Sequence, residues 1–117
     1  MSRGIKIKQV TGGSPVEQDQ LKGCMFKTTV TPGQYLFYDK NDDEITTDPS
    51  PLTTGTDFSF TLNSIDWSVT SFVISGNDDN GTASGNWTTP PEQDEGSFQA
   101  QAGASLDEEG ASSATAY

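Results

Sequence analysis

Three oxygen-bearing side chains at alternate positions form the most specific chemical pattern in this chain of 117 residues. Asp39, Asn41 and Asp43 have the spacing of the first three ligands of a calcium-binding loop, in which hard oxygen atoms converge on the cation. The rest of that pattern is missing, because Glu44 replaces the required glycine and Ser50 replaces the bidentate glutamate. A solvated acidic turn is the simpler interpretation, and calcium at these three residues is the one cofactor that the sequence indicates.

The chain contains no histidine, and this absence limits the catalysis that it can perform. Histidine is the usual general base near neutral pH, so a Ser-His-Asp or Cys-His site cannot form within one chain. The sequence has no phosphate-binding loop and no dinucleotide fingerprint. Its 17 acidic residues would permit a glycosidase-like carboxylate pair, but a small β domain leaves little room for a substrate cleft. We therefore expect a protein that is not an enzyme.

Aromatic residues offer a second kind of site. A short aromatic run extends from Tyr35 to Tyr38, and Trp67 and Trp87 lie further along the chain. Exposed aromatic rings next to acidic or amide groups are typical of carbohydrate sites. Core packing is the simpler interpretation, because aromatic residues in strands usually fill the interior of a β protein.

The elements that would position these residues are β-strands, because the dominant period of the sequence is two. Apolar and polar residues alternate in Gly4 to Val10 and in Asp57 to Leu62, and a third alternation begins at Ile65. The phase of that third alternation slips near Thr70-Ser71, which predicts a β-bulge. Asn80-Gly81 predicts a hairpin, because both residues accept positive φ.

Seven short strand candidates separated by turn residues predict an all-β protein. The favoured architecture is a small antiparallel β-sandwich over residues 1–91, with an immunoglobulin-like arrangement as one form of it, and a small β-barrel is the alternative. The predicted core consists of alternating apolar residues: Ile5, Ile7, Val30, Leu36, Phe58, Phe60, Leu62, Ile65, Trp67, Val69, Phe72, Ile74 and Trp87.

Residues 92–117 differ from the preceding part of the chain in composition. Only Phe98, Leu106 and Tyr117 are bulky, and the rest are mainly Ala, Gly, Ser, Gln and acidic residues. Such a segment buries too little apolar surface to offset the entropy lost on ordering. We expect an extended or disordered acidic tail whose three bulky residues anchor it on a neighbouring copy.

The net charge of −11 divides unevenly along the chain. Residues 1–38 hold five basic and two acidic residues, a balance of +3, whereas residues 39–117 hold one basic and fifteen acidic residues, a balance of −14. Opposite charges at the two ends favour contact between copies, and the acidic part argues against binding to nucleic acid or anionic membranes. Lysine residues on a strand are typical of a sheet edge, so we expect the N-terminal strand to be an edge strand. It contributes Ile5, Lys6, Ile7 and Lys8 as predicted assembly contacts, through pairing with the sheet edge of a neighbour.

These observations favour a non-enzymatic structural protein that acts by assembly with itself or with other structural subunits. A subunit or decoration protein of a viral particle, tail or filament is the leading hypothesis. The alternative is a soluble module that binds carbohydrate or protein and is stabilised by calcium, and a third hypothesis is an acidic inhibitor that mimics nucleic acid. The N-terminus lacks the apolar core of a signal peptide, and no stretch is long and apolar enough to span a membrane. We therefore expect cytoplasmic synthesis.

Overall fold

A computed structural model describes residues 4–89 and 94–102 of the chain. Within these residues lie one helix and nine strands, and every strand pair is antiparallel. In chain order the elements are β1 (Ile5–Gly12), α1 (Pro15–Leu21), β2 (Met25–Thr28), β3 (Tyr35–Tyr38), β4 (Glu44–Ile45), β5 (Thr47–Asp48), β6 (Phe58–Leu62), β7 (Ile65–Ser75), β8 (Thr82–Thr89) and β9 (Asp94–Gln101).

The nine strands form one continuous sheet in the order β4-β3-β2-β1-β9-β8-β7-β6-β5. Its two terminal strands, β4 and β5, are separated in the chain by Thr46 alone, so the sheet curves round until its ends nearly meet. The prediction of an all-β, antiparallel protein is confirmed. A single sheet that almost closes on itself corresponds to the barrel alternative rather than to two stacked sheets.

The two strands nearest the ends of the described chain lie in the middle of this sheet. β1 pairs with β2 on one side and with β9 on the other, and β9 also pairs with β8 along its whole length. The sequence analysis had placed β9 in a tail beginning at residue 92 and had taken β1 for an edge strand. The structure corrects both points: residues 94–102 belong to the folded domain, and neighbouring strands occupy both edges of β1.

Local sequence signals explain how several elements begin and bend. Ser14 caps α1: its side chain accepts a hydrogen bond from the N–H of Glu17, and the Glu17 carboxylate accepts one from the N–H of Ser14. The β-bulge predicted in β7 is confirmed, because the register with β8 shifts after Thr70 and Ser71 has a φ of 53°. The predicted hairpin is also present and joins β7 to β8. The positive φ of its loop is at Gly76 and not at Asn80 or Gly81.

Large apolar side chains fill the inside of the curved sheet. Phe26 stacks on Phe37 with ring centroids 4.8 Å apart, and the Trp67 and Trp87 rings meet edge to face at 5.2 Å. Most of the predicted core is buried, and Leu62 and Ile65 pack partly buried against it. The prediction is wrong for Val30, which is fully exposed in the turn between β2 and β3, and Leu36 is only half-buried.

Candidate functional site

The predicted calcium ligands lie in the turn between β3 and β4. The Asp39 carboxylate accepts hydrogen bonds from the N–H groups of Asn41 and Asp43, each at 2.9 Å, and so stabilises the turn itself. Asp42, between them, pairs with the Lys27 ammonium at 2.6 Å. Within residues 4–89 and 94–102, no group of three or more His, Cys, Asp or Glu side chains is placed to hold a metal ion. The calcium site stays a prediction.

The predicted assembly contacts are distributed over unlike environments. Ile5 and Ile7 are buried in the protein's own core, as is Phe98 on β9. Lys6 and Lys8 are half-buried, and each interacts with other groups of the protein. Ile5, Ile7 and Phe98 are therefore not available to a neighbouring copy in this fold. Two further predicted contacts, Leu106 and Tyr117, lie outside the described residues.

The structure instead brings together two surfaces that no single stretch of sequence contains. The first is an outward-facing part of β7, β8, β9 and β1. Cross-strand partners there form three rows, and their side chains carry hydroxyl or amide groups except at Val73 and at Lys6, which ends the third row. We define the uncharged face by eleven of these residues: Thr70, Asn86, Ser97 and Thr11; Val73, Ser84, Gln99 and Gln9; Ser75, Thr82 and Gln101.

The uncharged face contrasts with the rest of an acidic chain. All eleven residues are exposed or half-buried, and none is charged; the first charge in the third row is Lys6, at its β1 end. Val73 is 58% exposed and lies beside a shallow depression of about 180 Å³ that Ser84 and Gln99 also line. Thr11 and Ser97 share a hydrogen bond across β1 and β9 at 2.7 Å. Such a surface can both donate and accept hydrogen bonds without bringing like charges together.

The second surface is a groove of about 790 Å³ at the place where the two ends of the sheet come together. The β3–β4 turn and β4 form one wall, and the paired strands β5 and β6 with the first residues of β7 form the other. The groove is lined by four carboxylates, from Asp39, Glu44, Asp48 and Asp66, and its lining contains no lysine or arginine. We call it the acidic groove.

The carboxylates of the acidic groove have no basic partner in the described part of the chain. Asp66 accepts a hydrogen bond from the Thr61 hydroxyl at 2.8 Å, and Asp39 is used in its own turn. Glu44 and Asp48 are exposed, and the described residues offer neither side chain a hydrogen bond or an ion pair. The negative potential of the groove is therefore not neutralised by neighbouring side chains of the described chain.

A buried hydrogen-bond donor also belongs to the wall of the acidic groove. Trp67 lines the groove and is 0% exposed, and its indole Nε1 has no hydrogen-bond partner among the described residues. Phe60, on the neighbouring strand, stacks nearly parallel to the Trp67 ring with centroids 6.1 Å apart. The Nε1 of Trp87, which does not line the groove, also lacks a partner among the described residues, so this buried donor is not specific to the groove.

The sequence analysis did not identify either surface. Asp48 and Asp66 lie in different strands, and no motif in the sequence connects them. The alternation of small polar residues in β8 was a signal for the uncharged face, because Thr82, Ser84, Asn86 and Thr88 all point outward. No comparable signal existed for the acidic groove, whose walls come together only when the sheet curves round.

Comparison with protein-family models, with curated proteins and with solved structures finds no match to this chain. Within the described ranges, no helix combines the length and the apolar character that crossing a membrane requires.

Proposed function

We propose that this protein is a non-enzymatic structural protein that assembles with copies of itself through the uncharged face. The observation that carries the proposal is a surface of eleven outward-facing residues without a charge, in a chain whose net charge is −11. The lack of histidine in the sequence supports a role that does not depend on acid–base chemistry.

Electrostatics explains why this face is the favoured contact. Two copies with the same large negative charge repel each other, and the repulsion is smallest where the touching surfaces carry no charge. Side chains with both donor and acceptor atoms are self-complementary, as a two-fold symmetric interface requires. Val73, the exposed apolar residue of this face, would be buried at such a contact, which adds a hydrophobic contribution.

The proposed setting is the one that the sequence indicated, a subunit or decoration protein of a viral particle, tail or filament. The proposed contact surface differs from the one that the sequence indicated. Both edges of β1 are paired within the protein, so a sheet face would make the contact. The alternative of a carbohydrate-binding module receives less support. Trp67 and Trp87 are both 0% exposed, so neither ring presents a surface on which a sugar could stack.

The experiment is sedimentation velocity over a range of protein and salt concentrations. We expect a concentration-dependent oligomer that becomes stronger as salt rises, because salt screens the repulsion between acidic copies. Val73→Asp should abolish the oligomer, because it places a charge at the centre of the contact on both partners. Val30→Asp is the matched control: it introduces the same charge at another exposed valine, away from the uncharged face.

Two results would overturn the proposal. One is a strictly monomeric protein at high concentration and high salt. The other is an oligomer that Val73→Asp and Val30→Asp weaken equally, because the effect would then come from net charge alone.

A further inference from the structure

We propose that residues 103–117 of one copy bind to the outer side of strands β1, β2 and β3 of a second copy. We call this surface the lysine face and define it by five outward-facing residues: Lys6, Met25, Lys27, Leu36 and Tyr38. The inference rests on the proposed function, because it concerns where a segment of each copy goes once the uncharged faces have met.

Strand register places the lysine face directly beside the uncharged face. Lys6 pairs with Gln101 of the uncharged face on one side and with Met25 on the other, and Met25 pairs in turn with Tyr38. Because successive residues of a strand point to opposite sides of a sheet, this row points outward when the neighbouring row is in the core. The neighbouring row is buried in the core and consists of Ile5, Phe26 and Phe37.

The lysine face combines ammonium groups with apolar side chains. Strands β1, β2 and β3 contain three lysines and no acidic residue. The Lys27 Nζ lies 4.6 Å from the centroid of the Tyr38 ring, and it also pairs with Asp42 of the β3–β4 turn. Leu36 and Tyr38 are half-buried, so part of their apolar surface remains accessible. A segment with both acidic and bulky apolar residues matches this combination.

Residues 103–117 have the matching composition. Leu106 comes directly before three acidic residues, Asp107, Glu108 and Glu109, and the segment contains no lysine or arginine. Its three carboxylates are therefore opposite in charge to the three lysines of β1, β2 and β3. Charge complementarity of this kind steers association and fixes the register of the partners.

The point at which this segment joins the barrel favours a second copy as the receiver. Gln101 belongs to the uncharged face, and the N–H of Ala102 donates to the Gly81 carbonyl at 2.9 Å. The chain therefore leaves the barrel at the margin of the surface that a second copy would cover. Fifteen extended residues reach about 50 Å, and the longest dimension of the fold is 35 Å, so the segment can cross to the partner's lysine face. Two-fold symmetry then forms the contact twice.

Paramagnetic broadening between copies tests this contact in the full chain. Copies labelled with ¹⁵N are mixed with unlabelled copies that carry a nitroxide on Ser112→Cys. The nitroxide attaches at that position alone, because Cys24 is buried and burial raises the pKa of its thiol to about 12. We expect the amide signals of Lys6, Lys27 and Leu36 to lose intensity in the ¹⁵N-labelled copies, and those of β6 to keep it.

Two double variants, each introduced into all copies, separate this contact from net charge. Glu108→Lys with Glu109→Lys should raise the protein concentration needed for broadening roughly tenfold, the effect of losing two exposed ion pairs. The matched control, Asp48→Lys with Asp57→Lys, changes the net charge by the same amount outside β1, β2 and β3. The control should keep or strengthen the broadening, because a less acidic chain repels its copies less. Equal behaviour of the two variants would overturn the contact.

Sedimentation velocity on the same samples distinguishes this contact from the proposed function. An oligomer without broadening at the lysine face would overturn the segment contact alone. Broadening that occurs only when the nitroxide and the ¹⁵N label share a chain would assign the segment to its own copy, and would overturn the contact between copies. A strictly monomeric protein would overturn the proposed function, and this contact with it.

Discussion

The barrel wall has two unlike sides. On one side β7, β8, β9 and β1 are eight to eleven residues long and pair continuously. On the other side β4 and β5 are two residues long and the sheet stops short of closure. The long side carries the uncharged face and the short side carries the acidic groove. This difference indicates that the long side provides most of the stability of the fold, while the short side leaves the acidic groove open.

Removal of β9 is the most severe way to break the long side. Truncation after Pro91 takes away the strand between β1 and β8, so we expect loss of cooperative unfolding and of near-ultraviolet circular dichroism. Truncation after Ala102 keeps every described strand and is the matched control, which we expect to fold. A cooperative unfolding transition in the shorter protein would show that β9 is not needed for the fold, and that the long side is less important than its pairing indicates.

A pair of core substitutions compares the two sides directly. Trp87, on β8, is 0% exposed, and its replacement by alanine should lower the free energy of unfolding by about 3–5 kcal/mol, because the cavity left behind adds to the lost burial. Leu62, on β6 beside the acidic groove, is only half-buried, and Leu62→Ala should cost about 1 kcal/mol. Urea denaturation measures both values. Similar costs at the two positions would contradict the distinction between the sides.

The connection from β1 to β2 contains a buried acid whose titration can be followed. Glu17 is 7% exposed, and the hydrogen bond that it accepts from the Ser14 N–H lowers its pKa below the ordinary value of 4.5, although burial acts in the opposite direction. A carboxyl group whose pKa is lowered by folding stabilises the protein above its unfolded pKa. That stabilisation is lost as the pH falls from about 4.5 through the lower folded value.

Glu17→Gln tests this linkage. At neutral pH it should lower the free energy of unfolding by about 1–2 kcal/mol, because a charged hydrogen-bond acceptor becomes a neutral one. The difference between the variant and the original protein should shrink as the pH falls below 4.5. Urea unfolding at a series of pH values gives the measurement, and a constant difference at every pH would mean that the Glu17 charge has no part in stability.

The smallest effect is expected from the carboxylates of the acidic groove. Glu44→Gln and Asp48→Asn each remove an exposed charge that has no partner among the described residues. We therefore expect changes in the free energy of unfolding within about 0.5 kcal/mol, and the sign should be stabilising, because repulsion among the groove carboxylates is relieved. Thermal unfolding detects such changes. Clear destabilisation would mean that these residues support the fold.

Much of the fold could be predicted from the sequence because local patterns determined it. The alternation in β6 and β7, and the change of phase at Ser71, appear in the structure as two paired strands and a bulge. The class of fold followed from the same period of two. The acidic groove could not be predicted, because its carboxylates come from the β3–β4 turn, β4, β5 and β7 and meet only when the sheet curves round.

β9 was missed for a physical reason. Its residues are mainly polar or small, with Phe98 as the one bulky apolar side chain, and this composition resembles a low-complexity tail. A Cβ atom at Gly96 would collide with the carbonyl oxygen of Thr11 and would lie 2.8 Å from the Trp87 ring. Glycine is therefore needed at that position by the close packing of its neighbours. The prediction that β1 is an edge strand was wrong for a different reason. Lysine is typical of edge strands, but Lys6 and Lys8 belong to a central strand.

The pairing of β1 with β9 has a consequence for how the chain reaches its native state. Thr11 and Ser97 are 86 residues apart in sequence, and the sheet is continuous only after that distance has been bridged. During synthesis β1 leaves the ribosome long before β9 exists, so its pairing on that edge must wait for nearly the whole domain. Chains with such distant pairings fold slowly, typically in milliseconds to seconds. Lys6 and Lys8 would help during this interval, since charges beside Ile5 and Ile7 discourage premature association of β1 with other nascent chains.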